Sequence, residues 1–139
     1  MPDRKSFDYA IIRVVPFVER QEFINVGIIV FCRSLNYLRA LIDFDLKRVA
    51  SLNPQADMQM IRSQLQAILT ICEGKNPECS LCKLTRSERF HWLTSPSSTI
   101  IQTSPVHSGL CTNPEEVIRK LYDFLVDASG KPEQENLDI

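Results

Sequence analysis

Apolar and polar positions alternate from Phe7 to Val15, with Tyr9, Ile11, Arg13 and Val15 on one face and Ala10, Ile12 and Val14 on the other. Both faces are largely apolar, so the pattern predicts an interior strand that Pro16 ends, since proline offers no amide to a ladder. After the charged link Phe17 to Phe23, the run Asn25 to Cys32 alternates Val26, Ile28, Val30 and Cys32 against Asn25, Gly27, Ile29 and Phe31. The two runs read as a long hairpin at the centre of a sheet. A third strand is predicted from Tyr37 to Asp43, after a turn at 33–36.

Helical periodicity follows. Asp45 is positioned to cap a short helix over 46–51, and Asn53 with Pro54 to start a longer one that Gly74 stops. Ile61, Leu65, Ile68 and Cys72 form the apolar stripe of that helix, and the stripe must lie against the sheet. Residues 74–83 read as a loop, and Thr85 with Glu88 makes a capping box for a short helix through Phe90, Trp92 and Leu93. After a second loop at 95–98, Thr99 to Thr103 reads as a strand closed by Ser104-Pro105, and 106–112 as a loop. Asn113, Pro114 and Glu116 then open a last helix whose buried stripe is Val117, Ile118, Leu121, Phe124 and Leu125.

The fold class expected from this order is α+β: an antiparallel sheet built on the N-terminal hairpin, with the helices 54–73 and 114–126 packed on it. The expected organisation is a flexible lead at 1–6, a single domain over 7–128 and a disordered tail over 129–139. A chain of 139 residues buries an ordinary core without staples.

Charge narrows the function classes. Sixteen Lys and Arg stand against 17 Asp and Glu, a net charge of -1, which argues against nucleic acid or an anionic membrane as partner and confines any anion site to a local cluster. The first six residues are polar and lack the apolar core of a secretory signal. No apolar run approaches the roughly 20 residues that span a bilayer. A cytoplasmic protein is the expectation. Five cysteines without an export signal point to reduced thiols or a metal site before a disulfide framework.

Three constellations carry candidate chemistry. Arg13 sits mid-strand among apolar residues, where a guanidinium needs an anionic or multiply accepting partner. One reading is a structural ion pair of Arg13 with Glu19 and Glu22; the other gathers Arg13, Arg20 and Asn25 around an anionic ligand, and Gly27 marks close backbone approach or a bulge. Cys79-Ser-Leu-Cys82 is a Cys-x-x-Cys, and with Cys72 and either Cys111 or His91 a zinc site can be drawn. Only one such knuckle is present, Cys72 has a core role at helical spacing, and redox use of the motif requires a helix start, so the expectation is no metal and no cofactor. The segment 104–112 joins a strand to a helix N-terminus, where free amides favour an anion, and Ser104, His107, Ser108, Gly109 and Thr112 add donors. There His107 and Cys111 are candidates for a catalytic pair, and the alternative is a turn whose hydroxyls satisfy their own backbone. Phe90-His91-Trp92-Leu93 reads as core packing before a base-stacking platform. No Gly-rich phosphate loop, paired-carboxylate site or His-x-x-x-His motif occurs.

Three blocks together, residues 9–32, 88–93 and 98–111, resemble the bacterial family "domain of unknown function 3037" over about residues 7–126. The resemblance implies small cytosolic bacterial proteins of unassigned activity, often encoded beside a HipA-like kinase. Its characteristic polar positions fall on Arg13, Glu19, Arg20, Glu22, Asn25 and Gly27, then on Ser104, Pro105, His107, Gly109 and Cys111. The loop 74–83 departs from the family pattern, which is rich in Gly and Pro and lacks the pair Cys79 and Cys82, and this argues against a family-wide zinc site. The function expected is a non-catalytic binding or regulatory module acting with a protein partner such as that kinase. The alternative is a small enzyme or sensor that binds a phosphorylated metabolite or nucleotide through Arg13, Arg20 and Asn25 together with Ser104, His107, Gly109 and Cys111.

Overall fold

Strand β1 (Lys5–Val14) runs through the middle of the sheet because both of its faces are apolar and must be covered. The computed structural model describes residues 3–97 and 99–127; the expected tail at 129–139, and Met1 and Pro2 of the expected lead, lie outside them. Lys5 and Ser6 are already in β1, paired with Cys111 and Leu110. Strand β2 (Ile24–Cys32) pairs antiparallel with β1, and β3 (Tyr37–Ile42) with β2. The other edge of β1 is shared by β4 (Ile101–Thr103) and β5 (His107–Cys111), both antiparallel to it. The result is a five-stranded antiparallel sheet, and with its helices the fold is α+β.

Strand β5 corrects the expected loop at 106–112. Its residues have weak strand propensity, yet the first half of the long β1 has unpaired backbone groups on that edge, and satisfying them outweighs local preference. The register between β1 and β2 slips at Ile12 and Arg13: Ile12 pairs with Gly27 and Arg13 with Asn25, which leaves Val26 as the extra residue of a bulge. The bulge overturns the simple alternation expected for β2. Val26 joins the core that contains Ile29 and Phe31, while Ile28, Val30 and Cys32 belong to the opposite one.

Helices cover both faces. Helix α1 (Lys47–Leu52) follows Asp45, whose carboxylate accepts the Lys47 amide at 3.3 Å. Helix α2 (Met58–Glu73) starts later than Asn53-Pro54 predicts, because Asp57 is the cap that accepts the Met60 amide. Asn53 is engaged in a turn of its own, accepting from Gln55 and donating to the Pro16 carbonyl. Helix α3 (Arg86–Leu93) opens with the expected Thr85 and Glu88 capping box. These three pack on one face, where Ile61, Leu65 and Phe90 are buried against Ile12, Val14 and Phe31. Helix α4 (Pro114–Leu125) covers the other face, with Ile118 buried against Ile11, Ile28 and Val30. Asn113 caps it, but Glu116 pairs with Lys120 rather than closing a capping box. Phe124 is exposed, off the expected stripe, and Tyr122 packs toward the core in its place.

Candidate functional site

The hairpin link builds the first cluster. Residues Val18–Arg20 form a 3-10 turn that ends on Gln21 in the left-handed region, which folds the link back beside β1. Arg20 pairs with Glu22 at 3.0 Å, both exposed. Among the described residues Arg13 has no carboxylate partner, and the expected Arg13, Glu19 and Glu22 ion pair does not form. Its guanidinium instead lies over the ring of Phe23 at 4.0 Å, and its Nε is buried without an acceptor. Burial without a counter-charge lowers the Arg13 pKa from its ordinary value. Arg13, Phe23, Gln21, Ser97 and Gln102 line a cleft of about 390 Å³.

Asn25 faces elsewhere. Its Nδ2 donates to the Leu125 carbonyl at 3.1 Å, and Arg48 donates to the Val126 carbonyl at 3.2 Å and to the Asn25 carbonyl at 3.1 Å. Two side chains thus close the C-terminal carbonyls of α4, a structural use of the residue expected to hold an anion.

The segment expected to be a second anion loop is consumed by the sheet. Ser104 is buried, and its Oγ accepts the Ile11 amide at 2.8 Å and donates to the Pro105 carbonyl at 2.9 Å. Gly109 lies flat on Phe7, where a Cβ would come within 2.8 Å of the ring. His107 rests on Tyr9 with ring centroids 5.3 Å apart. Ser108 donates to Asp8 at 2.6 Å. Cys111 is buried beside Cys32, and burial followed by that neighbour raises its pKa. His107 and Cys111 stand four residues apart on one strand, roughly 13 Å, and cannot act as a nucleophilic pair. Tyr9, the partner of His107, is equally far from Arg13 along β1, so the His107 to Cys111 part of the expected anion site does not reach Arg13.

The α4 N-terminus carries carboxylates in place of a vacant anion cradle. Glu115 accepts from the Tyr37 hydroxyl at 2.8 Å and from Arg39 and Arg119, which ties the helix to the edge strand β3. Arg39 foremost, then Tyr37, hold the Glu115 carboxyl below its ordinary value.

Two clefts were not legible in the sequence. The larger, about 670 Å³, brings together Ser6 and Asp8 of β1, Phe31 of β2, Arg33 and Ser34 after it, and Ser87 and His91 of α3. His91 Nδ1 lies 2.7 Å from the Ser87 carbonyl, which leaves Nε2 as the ring's remaining nitrogen. The second, about 550 Å³, runs between α2, α3 and β4, floored by Ile68, Ile71, Leu93 and Ile101 and flanked by Trp92, which is 54% exposed. None of its lining residues is charged. Among the described residues no group of three or more His, Cys, Asp or Glu is arranged to hold a metal ion. No helix among them is long and apolar enough to cross a membrane.

No curated protein and no solved structure matches the chain. A family model does, over residues 9–126, from β1 past the end of α4: the chain belongs to the DUF3037 family, proteins of unknown function.

Proposed function

We propose that this chain is a non-catalytic binding or regulatory module that acts in the bacterial cytoplasm through a protein partner, with a HipA-like kinase as the first candidate. The observation that carries this reading is the cleft between α2, α3 and β4. It is apolar, concave and uncharged, and it presents the exposed indole of Trp92 at its rim. Tryptophan is enriched among the residues that anchor protein interfaces, where a partner desolvates the ring. An uncharged lining selects an uncharged, apolar segment, because a charged one would be desolvated there without a counter-charge. The residues expected to do chemistry support the same reading by their engagement elsewhere: Ser104 and Gly109 in the sheet, Asn25 at the end of α4, Cys111 in the core.

The test is co-purification of the full chain with the HipA-like kinase, followed by titration. Binding at micromolar concentration that Trp92→Ala abolishes supports the reading. A chain that binds no kinase at that concentration, or binds equally well without Trp92, overturns it.

A second reading has one observation in its favour. The Arg13 guanidinium borders a cleft with no carboxylate paired to it, which suits a sensor of a phosphorylated metabolite or nucleotide at that cleft alone. Thermal-shift titration with inorganic phosphate and nucleotides tests it: stabilisation of the wild type that Arg13→Met removes is the supporting outcome, and an unchanged melting temperature with every compound rejects it.

A further inference from the structure

The motif Cys79-Ser-Leu-Cys82 is wound into a short 3-10 helix (Ser80–Lys83) with Cys79 immediately before it, where the sequence predicts a loop. The Cys82 amide donates to the Cys79 carbonyl at 3.1 Å. That is the i to i+3 bond of a tight turn, which holds the two Cα atoms within about 7 Å. Disulfides span Cα separations of roughly 4.4–6.8 Å, so the turn brings the pair to bridging range. The two thiols are close enough that each shifts the other's titration. They differ in access, for Cys79 is half-buried while Cys82 is buried with its Sγ donating to the Thr70 carbonyl at 3.4 Å.

Beneath the turn lies a cation. Arg89 is buried, donates to the Cys82 and Leu84 carbonyls at 3.4 and 3.5 Å, and keeps its Nε without an acceptor. No ion pair among the described residues includes it. A buried guanidinium without a carboxylate favours whatever anion can form beside it, and its charge acts on the thiols of Cys72 and Cys82. The neighbouring Cys82 thiol lowers the Cys79 pKa, while Cys79, followed by burial, raises that of Cys82. This is the division of labour between an attacking and a resolving thiol. The remaining cysteines are poor competitors: burial pushes Cys72 up to about 12 and raises Cys111, and Cys32 is fully buried.

We propose that Cys79 and Cys82 form a reversible dithiol–disulfide couple, with Cys79 attacking, Cys82 resolving and a peroxide as oxidant. The Cys79 thiolate attacks one peroxide oxygen, the O–O bond breaks, and the leaving hydroxide takes a proton to become water. The Cys79 sulfenic acid that results is attacked by Cys82 as its thiolate. The S–O bond breaks, a second water leaves, and the S–S bond forms. Two thiols and one hydrogen peroxide thus give one disulfide and two waters. A small dithiol reverses the change by exchange and leaves as its own disulfide.

The experiment treats the reduced full chain with one equivalent of hydrogen peroxide at neutral pH, alkylates the remaining thiols under denaturing conditions and maps the peptides by mass spectrometry. The expected product has lost two hydrogens on the peptide that contains Cys79 and Cys82, with Cys32, Cys72 and Cys111 alkylated. In Cys82→Ser the disulfide is absent and dimedone traps a sulfenic acid on Cys79. In Cys79→Ser the oxidation of residue 82 is at least about tenfold slower than that of Cys79 in Cys82→Ser. Far-UV circular dichroism checks the fold of both variants, and the wild-type map decides the matter without them. A wild-type peptide that keeps both thiols while other cysteines oxidise, or equal rates for the two single variants, overturns the proposal.

Discussion

Ser104 and Ile11 exchange two hydrogen bonds in the middle of the sheet: the Ser104 amide donates to the Ile11 carbonyl, and the Ile11 amide to Ser104 Oγ, each at 2.8 Å. The side-chain oxygen takes the place of a backbone carbonyl where the edge strand breaks between β4 and β5, and Pro105 can offer no amide there. Ser104→Ala leaves the buried Ile11 amide without an acceptor. Chemical denaturation is expected to show a loss of about 1–3 kcal/mol, with partner binding by the correctly folded fraction unchanged.

Glu115 sets an acid limb to stability. Its carboxyl is held below the ordinary value of 4.5 by Arg39 first and Tyr37 next, so the folded state prefers the charged form. A depressed carboxylate contributes stability that is present above its unfolded pKa and is lost as pH falls through the folded one. The chain is therefore expected to lose stability below about pH 4.5, and Glu115→Gln to be less stable at neutral pH with a flatter acid limb. Melting temperatures of both proteins between pH 3 and 7 check this, and parallel curves over that whole range would contradict it.

Gly74 ends α2 in the left-handed region at a φ of 68°, and an added Cβ would fall 1.9 Å from Arg89 Nη1. Both the backbone conformation and the space select glycine. Gly74→Ala is expected to destabilise the chain by more than about 1 kcal/mol, because the buried guanidinium has little room to withdraw. Thermal denaturation beside the wild type measures it.

Trp92 is the chain's single tryptophan and more than half exposed. If the proposed kinase partner occupies the cleft, its emission should shift to shorter wavelength, since the indole then leaves water. Trp92→Ala should change stability by less than about 1 kcal/mol, as an exposed side chain gives up little packing. An unshifted spectrum in a complex shown to form would place the interface elsewhere.

Much of the architecture was legible because periodicity reports burial. Tyr9 to Val15 alternates with apolar residues on both faces, and the chain does put cores on both faces of β1. Thr85 with Glu88, and Asn113 with Pro114, mark helix starts through local hydrogen bonds that depend on neighbours in sequence alone. Strand β5 was not legible. His107 to Cys111 carries no strand pattern, and only the unpaired edge of β1 recruits it. The site residues divide the same way. Arg13 stands out in the sequence as a charge in an apolar strand, but that it lies over Phe23 at a cleft while Glu22 pairs with Arg20 is a matter of tertiary structure.

The sequence by itself determined most of the elements, the central place of the hairpin and the near balance of charge, since these follow from local spacing and from counting charges. Only the tertiary structure decided which polar residues remain free for a partner. Ser104 and Asn25 are bonded to groups about a hundred positions away or close to it, Ile11 and Leu125, and Arg89 comes to lie under Cys82 through a turn that no spacing rule places. A side chain's partners are set by where distant backbone groups are left unsatisfied, and that is known only once the sheet has closed.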